Sequence, residues 1–315
     1  MVVMIRRGVF EGWAAELGMC VDYDLDALHK LGVYRGDSIK GSGYTLIKSS
    51  VKNPLPILGV CHLDYVTAGA VPLVSHGRRV VSCALDDRLG LWCLLYGLPR
   101  ALGGGRVGCQ VPYDILLTED EELGASTASA FGNDNGVAGY RWLFMFDRAG
   151  ADCAYYGYDS VKWLAALRGQ GWDCERGSYS CIADLEKRGQ SGVNFGVGYI
   201  GQHTAGCYAD CGTVLWQVRR VAEFVRQYGR VNFPHTASRG VDYRGGWYGG
   251  DYSLARERVV AQSKIKGADY WDAEFDRHKW DEVDLWDDDN KGVVDYDLPK
   301  RSRQWYLNGW DKQGG

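Results

Sequence analysis

Acidic and histidine side chains recur along this chain in short groups, and most of them follow an apolar run. In chain order the groups are His62-Leu-Asp64, Asp86-Asp87, Glu121-Glu122, Asp147 and His203. Imidazole and carboxylate groups are common protein ligands of divalent zinc, cobalt and manganese ions. This order can supply two adjacent metal ions with ligands and leave one carboxylate free.

Two metal ions about 3.5–4 Å apart need one carboxylate that reaches both, and about two further protein ligands each. We assign Asp86 as the bridging carboxylate. The other ligands then form two pairs, His62 with Asp147 and Glu122 with His203.

Two more carboxylates lie beside these ligands in the sequence. Glu121 precedes the ligand Glu122 and is predicted to point to the opposite side, where it can take a proton from a bridging water. Asp64 is predicted to accept the second imidazole N–H of His62 and so to fix its tautomer. We therefore predict Glu121 and Asp64 as the residues that assist the metal ligands.

Four apolar runs that precede these polar groups predict β-strands, over residues 56–61, 113–118, 141–146 and 193–200. Apolar runs of this length, bounded by polar turns, are typical of buried strands in an α/β sheet. Such sheets bind ligands beyond the carboxyl ends of their strands, which is where the polar groups fall.

Helices are predicted between the strands, over residues 89–102, 160–168 and 212–228. Alternating strands and helices predict an α/β fold, a three-layer α/β/α sandwich around a central sheet. The glycine-rich link at residues 104–109 is consistent with a tight strand connection, so we expect the sheet to be mixed.

Composition favours a folded cytoplasmic enzyme. A chain of 315 residues with 46% hydrophobic content can bury the core of one or two domains. The net charge of −4 gives no preference for nucleic acid or a membrane surface. The N-terminus lacks the apolar core of a signal peptide and no stretch approaches transmembrane length, so we expect no membrane partner.

The ten cysteines predict reduced core residues. Several lie inside apolar runs, where a free thiol behaves as a small hydrophobic group, and a chain of this length folds without disulfides. Cys207 and Cys211 are the one pair for which a disulfide or a soft-metal role is considered, although filling of the core or loop is favoured.

Five motifs, within about residues 1–230, resemble those of the co-catalytic dizinc exopeptidases. They are His62-Leu-Asp64, Ala84-Leu-Asp-Asp-Arg-Leu-Gly90, Thr118-Glu-Asp-Glu-Glu-Leu-Gly124, Phe146-Asp-Arg148 and Gly198-Tyr-Ile-Gly-Gln-His-Thr204. That superfamily includes leucyl aminopeptidases, peptidase T-like and carboxypeptidase G2-like enzymes, and tetrahedral aminopeptidases. One motif alone is a weak signal, whereas five in the right order are a strong one.

The resemblance implies a phosphorylase/hydrolase-like fold, two divalent metal ions, and hydrolysis of a peptide or aminoacyl substrate. Zinc is the expected metal, and cobalt or manganese also suit these ligands. By motif position Asp86 bridges, Glu121 is the general base and Glu122 is a ligand. The choice of Asp86 over Asp87 rests on this position alone.

Short intervals between the motifs imply the compact branch of the superfamily, which has no inserted lid domain. The sequence leaves open whether the enzyme is an aminopeptidase, a carboxypeptidase or a deacylase, because acidic and basic groups that could hold a substrate terminus both lie near the motifs: Asp120, Asp152, Arg88 and Arg148.

Simpler interpretations of single acidic residues remain open. Asp86 and Asp87 could cap the helix that begins near Leu89, and Asp87 could pair with Arg88. Residues 119–122 could be a solvated acidic loop.

The last histidine ligand also has an alternative. His235 could replace His203 if the chain folds back, although His203 is preferred because it lies between a predicted strand and a predicted helix. His29 and His76 are assigned no role.

The chain changes character after about residue 231. Its final 80 residues contain six of the twelve tryptophans, much charge and few aliphatic residues, which argues against a separate core. We predict a catalytic domain over residues 1–230 and an irregular extension over 231–315. In the extension Trp271, Trp280 and Trp286 could pack against the catalytic domain or anchor a neighbouring chain or a second copy, or the extension could be inert.

Two functions are therefore considered: a metal-dependent exopeptidase, preferably an aminopeptidase, and an assembly protein that keeps a peptidase fold and binds neighbours through its extension. The full ligand set together with Glu121 favours the enzyme, because an assembly protein has no physical need of a free carboxylate beside the ligands.

Overall fold

The computed structural model describes residues 7–236, except residues 23, 31, 35, 67–72, 77, 104–109 and 135. The predicted glycine-rich link at 104–109 lies outside the described residues. So does the C-terminal extension from residue 237 onward, with its three predicted tryptophan anchors.

The described chain contains both helices and strands. The helices are α1 (Arg7–Asp22), α2 (Leu25–Lys30), α3 (Leu85–Trp92), α4 (Leu98–Ala101), α5 (Ala128–Asp134), α6 (Val161–Gly169) and α7 (Cys211–Tyr228), with a π-helix over Cys93–Gly97 and a 3-10 helix over Cys181–Arg188. The strands are β1 (Ser38–Lys40), β2 (Thr45–Ile47), β3 (Leu58–His62), β4 (Val74–His76), β5 (Arg79–Val81), β6 (Asp114–Thr118), β7 (Trp142–Met145), β8 (Cys153–Ala154), β9 (Cys174–Glu175), β10 (Ser191–Phe195), β11 (Tyr199–Ile200) and β12 (Tyr208–Asp210).

The main sheet has eight strands in the order β1-β2-β6-β3-β7-β10-β8-β9. Its centre is parallel, because β3 pairs in parallel with both β6 and β7, and β7 with β10. The pairs β1–β2, β2–β6 and β10–β8 are antiparallel. The predicted mixed sheet is confirmed.

Helical segments cover both faces of this sheet. Side chains alternate between the two faces along each strand, so the contacts of two β7 residues show what lies on each face. On one face, Trp142 of β7 contacts Phe224 of α7, with ring centroids 5.4 Å apart. On the other, Met145 of the same strand accepts a hydrogen bond from Ser180, the residue before the 3-10 helix, at 3.1 Å. The predicted three-layer α/β/α architecture is confirmed.

Phe224 lies at the centre of an aromatic cluster between α7 and the sheet. It contacts the rings of Trp142, Trp163, Trp172, Phe195 and Tyr228. Replacing it by alanine leaves a buried cavity, so we expect Phe224→Ala to lower the free energy of unfolding by about 3–5 kcal/mol in a urea titration. The matched control is Val161→Ala, whose side chain is 85% exposed and whose effect we expect to stay within about 0.5 kcal/mol. Equal effects of the two changes would contradict this description of the core.

Three of the four predicted strands correspond to β3, β6 and β7, each within two residues at either end. The fourth, predicted over residues 193–200, is wrong as one strand, because the chain leaves the main sheet after β10 and enters a second sheet at β11. Gly196 and Gly198 allow this turn. Gly198 has φ +79°, and a Cβ on Gly196 would lie 2.5 Å from the Gly150 carbonyl oxygen.

The second sheet was not predicted. It is antiparallel, in the order β11-β12-β5-β4. The turn between β11 and β12 carries His203, so this small sheet positions one predicted metal ligand.

The predicted helices at 160–168 and 212–228 correspond to α6 and α7, which are capped by Ser160 and Asp210. The helix predicted over 89–102 begins earlier, at Leu85, and contains the π-helix. Pro99 follows the π-helix at the start of α4, and it has no amide hydrogen to donate to the carbonyl of Leu95, as a regular α-helix would require. Among the described residues, no helix combines the length and hydropathy needed to cross a membrane.

Candidate metal centre

Side chains that follow several central strands meet beyond the carboxyl ends of these strands in the main sheet. His62 is the last residue of β3, Asp147 follows β7, and Glu121 follows β6. These strands are parallel neighbours, so their carboxyl ends lie at the same edge. Asp86 reaches this edge from the first turn of α3, which has non-helical backbone angles at Asp86 and Asp87.

Asp86 lies between the two predicted histidine ligands. One oxygen, Oδ1, is 3.1 Å from His62 Nε2. The other oxygen, Oδ2, is 3.1 Å from His203 Nε2. A single buried carboxylate therefore contacts one nitrogen of each imidazole.

Each imidazole has a second carboxylate beside it. Asp147 Oδ1 is 3.7 Å from His62 Nε2, and Glu122 Oε2 is 3.1 Å from His203 Nε2. Glu121 Oε2 is 4.0 Å from His62 Nε2. The structure thus brings together all five predicted ligands and the predicted general base.

Asp64 lies beside His62, but not only through the atom that we expected. The nearest oxygen to His62 Nδ1 is the Asp64 main-chain carbonyl, at 3.0 Å, while the carboxylate Oδ1 is 3.5 Å away. The other carboxylate oxygen accepts the backbone N–H of Glu122 at 3.0 Å. Asp64, in the loop after β3, therefore connects His62 at the end of this strand to the loop that carries Glu122.

Asp87 has a local structural role. Its Oδ1 accepts the backbone N–H of Gly90 at 3.0 Å, so its side chain satisfies one amide in the first turns of α3, although Ala84 is the N-cap residue. The alternative of an ion pair with Arg88 is wrong, because Arg88 donates to the main-chain oxygens of Leu63 and Cys20.

His235 lies apart from this group. Its Nε2 is 2.6 Å from Glu186 Oε1, and its ring packs on Tyr158. The structure therefore brings His203, and not His235, to the acidic residues. His29 packs against Tyr34, and the side chain of His76 lies outside the described residues.

His203 has a left-handed backbone conformation, with φ +61°. This conformation costs about 1–3 kcal/mol in a residue other than glycine and is frequent at functional sites. The surrounding turn holds it, because Thr204 donates to the Gly201 carbonyl at 2.6 Å and the Cys207 amide donates to the Thr204 carbonyl at 3.2 Å.

Two residues that hold Asp147 were missed by sequence analysis. The hydroxyl of Tyr199 donates to Asp147 Oδ1 at 3.0 Å. Asn194 accepts the backbone N–H of Asp147 at 2.8 Å and donates to its carbonyl at 2.7 Å. Asn194 could have been found as a polar residue inside an otherwise apolar strand, whereas Tyr199 has no such signal.

The cluster concentrates negative charge in a buried place. Burial, followed by the charge of Asp147, raises the pKa of Glu121 to about 8. Burial, followed by the charge of Asp86, raises the pKa of Asp147 to about 7. Hydrogen bonds to Asp86 and Glu122 raise the pKa of His203 to about 10. Each raised pKa means that the folded protein stabilises added positive charge at this cluster, which protons or a bound cation can provide.

The donor atoms fit divalent cations. Two sets of three ligand atoms lie within 4.8 Å of one another, His62 with Asp86 and Glu122, and His62 with Asp87 and Asp147. Buried oxygens of Glu122 and Asp87 have no hydrogen-bond partner, which is costly without a compensating charge. Imidazole and carboxylate donors without thiolate suit zinc, cobalt or manganese.

Cys207 and Cys211 are both buried free thiols. Burial raises the pKa of Cys207 to about 12, so it stays protonated. The predicted filling role is confirmed, and the disulfide considered for this pair is absent.

An open cavity of about 560 Å³ borders this edge of the sheet. Asp64 is part of its wall, so the cavity adjoins the loop that follows His62. Five acidic side chains contribute to its lining: Asp24, Asp26, Asp64, Glu119 and Asp120.

No protein-family model and no curated protein sequence matches this chain. Solved structures do match. The aminopeptidase PepT from Bacillus cereus matches with a TM-score of 0.51 and 9% identity, covering 72% of this chain and 99% of that one. A tripeptidase from Staphylococcus aureus matches with a TM-score of 0.50 and 10% identity, covering 73% and 100%. At such identities the likeness concerns the fold alone. This chain therefore shares the fold of these peptidases, and the predicted resemblance to the dizinc exopeptidases is confirmed at the level of the fold.

Proposed function

We propose that this protein is a metal-dependent exopeptidase, an aminopeptidase that hydrolyses peptide or aminoacyl substrates at a two-metal centre. The observation that carries the proposal is the position of Asp86, whose two oxygens each lie 3.1 Å from the Nε2 atom of a different histidine. A carboxylate placed in this way can serve two cations at once.

The five ligands divide between two sites. His62 and Asp147 would hold one ion, Glu122 and His203 the other, and Asp86 both. We prefer Asp86 to Asp87 as the bridge because one oxygen of Asp87 already accepts the amide of Gly90. The donor set favours zinc, with cobalt and manganese as alternatives.

Two ions bound there would lower the pKa of water and polarise the scissile carbonyl group. Glu121 then takes the proton of the attacking water and transfers it to the leaving amine, as a general base and acid. Asp64 holds His62 in one tautomer, because its carbonyl accepts the Nδ1–H and leaves Nε2 free to bind.

Charges near the cluster support an aminopeptidase. A carboxypeptidase needs a free cation for the substrate carboxylate, but Arg148 is bound to Asp152 and Glu175. The bordering cavity carries Glu119 and Asp120 on its lining, both exposed. The basic residues of the same lining are already engaged, since Lys40 pairs with Asp26 and Arg88 donates to the carbonyls of Leu63 and Cys20. Acidic groups are suited to a substrate ammonium group.

A substrate screen tests this proposal. The full chain is reconstituted with zinc, cobalt or manganese and offered aminoacyl amides beside N-acyl amino acids and N-acylated amides. We expect hydrolysis of aminoacyl amides with a free amino group only, and its loss after chelation. Cleavage of N-acyl substrates alone would contradict the aminopeptidase assignment, and no cleavage with any of these metals would contradict the peptidase.

Tyr199→Phe tests the support of Asp147. The change removes the hydroxyl that donates to Asp147 Oδ1, and loss of such a supporting contact lowers metal affinity by about 10-fold or more. Calorimetric titration of metal into the apoprotein measures it. Tyr208→Phe, on the neighbouring strand β12, is the matched control and should bind metal as the unmodified protein does. Unchanged affinity in Tyr199→Phe would show that Asp147 needs no such support.

The assembly function remains a separate proposal. It depends on Trp271, Trp280 and Trp286 of the extension, which lie outside the described residues. Binding of a second copy or a neighbouring chain through these tryptophans is compatible with peptidase activity.

A further inference from the structure

Cys153 and Cys174 form a close thiol pair on β8 and β9, the last two strands in the order of the main sheet. They lie opposite each other in the register of the parallel strands β8 and β9. Their sulfur atoms are 3.3 Å apart, and the Cys153 thiol donates to the Cys174 sulfur. Neighbouring strands lie about 4.7–4.9 Å apart, within the separation that a disulfide spans. A bond between these sulfurs therefore needs no change of strand register.

The two thiols differ in access and acidity. Cys153 is fully buried, whereas Cys174 is partly exposed. The hydrogen bond from Cys153 lowers the pKa of Cys174, and the guanidinium groups of Arg168 and Arg220 act in the same direction, against burial and Asp173. The same hydrogen bond raises the pKa of Cys153. Cys174 is thus the thiol that ionises and that a reagent can reach.

We propose that Cys174 and Cys153 form a thiol–disulfide exchange site that reacts with low-molecular-weight disulfides such as oxidised glutathione. The Cys174 thiolate attacks one sulfur of the reagent, which forms a mixed disulfide and releases one thiolate. Cys153 then loses its proton and attacks Cys174 Sγ, which releases the second thiolate. Both released thiolates take up protons, so two protein thiols are oxidised while one disulfide is reduced to two thiols.

The new bond would fix the edge strand β9 on β8. Glu175, next to Cys174, accepts from Arg148 at 2.6 Å, and Arg148 follows the predicted ligand Asp147. The bond also closes a loop between residues 153 and 174, which restricts the unfolded chain. We expect the oxidised protein to melt about 5 °C or more above the reduced protein.

Peptide mapping of the full chain tests the proposal independently of peptidase activity. The protein is exposed to oxidised glutathione, alkylated and digested with trypsin. Cleavage after lysine and arginine leaves Cys153 alone in residues 149–162 and Cys174 alone in residues 169–176, so the expected bond appears as one crosslinked pair. Cys83, also partly exposed, is read in residues 80–88 and serves as the internal control that keeps a free thiol.

Two single variants separate the steps. In Cys153→Ser we expect one glutathione to remain on residues 169–176, because the second thiol is missing. In Cys174→Ser we expect residues 149–162 to carry no glutathione. Free thiols at both positions in the wild-type protein after treatment, or modification of Cys83 as fast as of Cys174, would overturn the proposal. The wild-type measurement decides the matter even where a variant fails to fold.

Discussion

Replacing Glu121 by glutamine is expected to lower the rate of hydrolysis by about 100-fold or more while metal binding is retained. General-base residues contribute factors of about 100 to 10,000 to the rate. Glutamine keeps the size of the side chain but cannot take a proton from water. Glu121 is not one of the five predicted ligands, so its loss should leave both ions in place. Steady-state rates and elemental analysis of the same preparation measure the two effects.

Glu122→Gln is the matched comparison, because it changes the neighbouring residue in the same way. The Glu122 carboxylate lies 3.1 Å from His203 Nε2, so its loss should release metal as well as activity. If Glu121→Gln hydrolyses substrate at the wild-type rate, Glu121 is not the base. If both variants lose metal equally, the division between base and ligand is wrong.

The parts of the fold that depend on local patterns were predictable. β3, β6 and β7 are buried runs with polar residues at their ends, and parallel strands bring those ends together. For this reason the sequence predicts that His62, Asp147 and Glu121 lie near one another, beyond the carboxyl ends of these strands.

Other features depend on contacts between distant segments. The break after β10 depends on the close approach of Gly196 to Gly150, which no local pattern reveals. The small sheet that carries His203 pairs β5 with β12, which lie far apart in the chain. Tyr199 of β11 contacts Asp147, which lies 52 residues earlier in the chain, so its role could not be predicted from a local pattern.

The Asp64 contact shows a different limit. Sequence reasoning placed a carboxylate beside the imidazole of His62, but the main-chain carbonyl of the same residue is the nearer acceptor. Main-chain groups are present at every position and leave no mark in a sequence. Residue type therefore predicts which segments meet better than which atoms do.

Asp86→Asn is expected to lower the affinity for both metal ions by about 100-fold or more. Loss of a residue that only supports a ligand costs about 10–100-fold in affinity, and Asp86 is the proposed ligand of both ions. The asparagine side chain keeps the shape but carries one oxygen and no charge. Its single oxygen cannot serve two cations as a carboxylate does. Elemental analysis after dialysis, followed by titration of zinc into the apoprotein, measures the loss.

Asp87→Asn is the matched control for Asp86→Asn, because it changes the adjacent residue in the same way. Asp87 Oδ1 accepts the Gly90 amide, and an asparagine oxygen can also accept it, since both residues cap helices well. We therefore expect Asp87→Asn to keep two metal ions while Asp86→Asn keeps neither at wild-type affinity. The reverse result would make Asp87 the bridge, in agreement with the ligand set of His62, Asp87 and Asp147. Wild-type affinity in both variants would mean that neither aspartate joins two ions, and the two-metal centre would then be wrong.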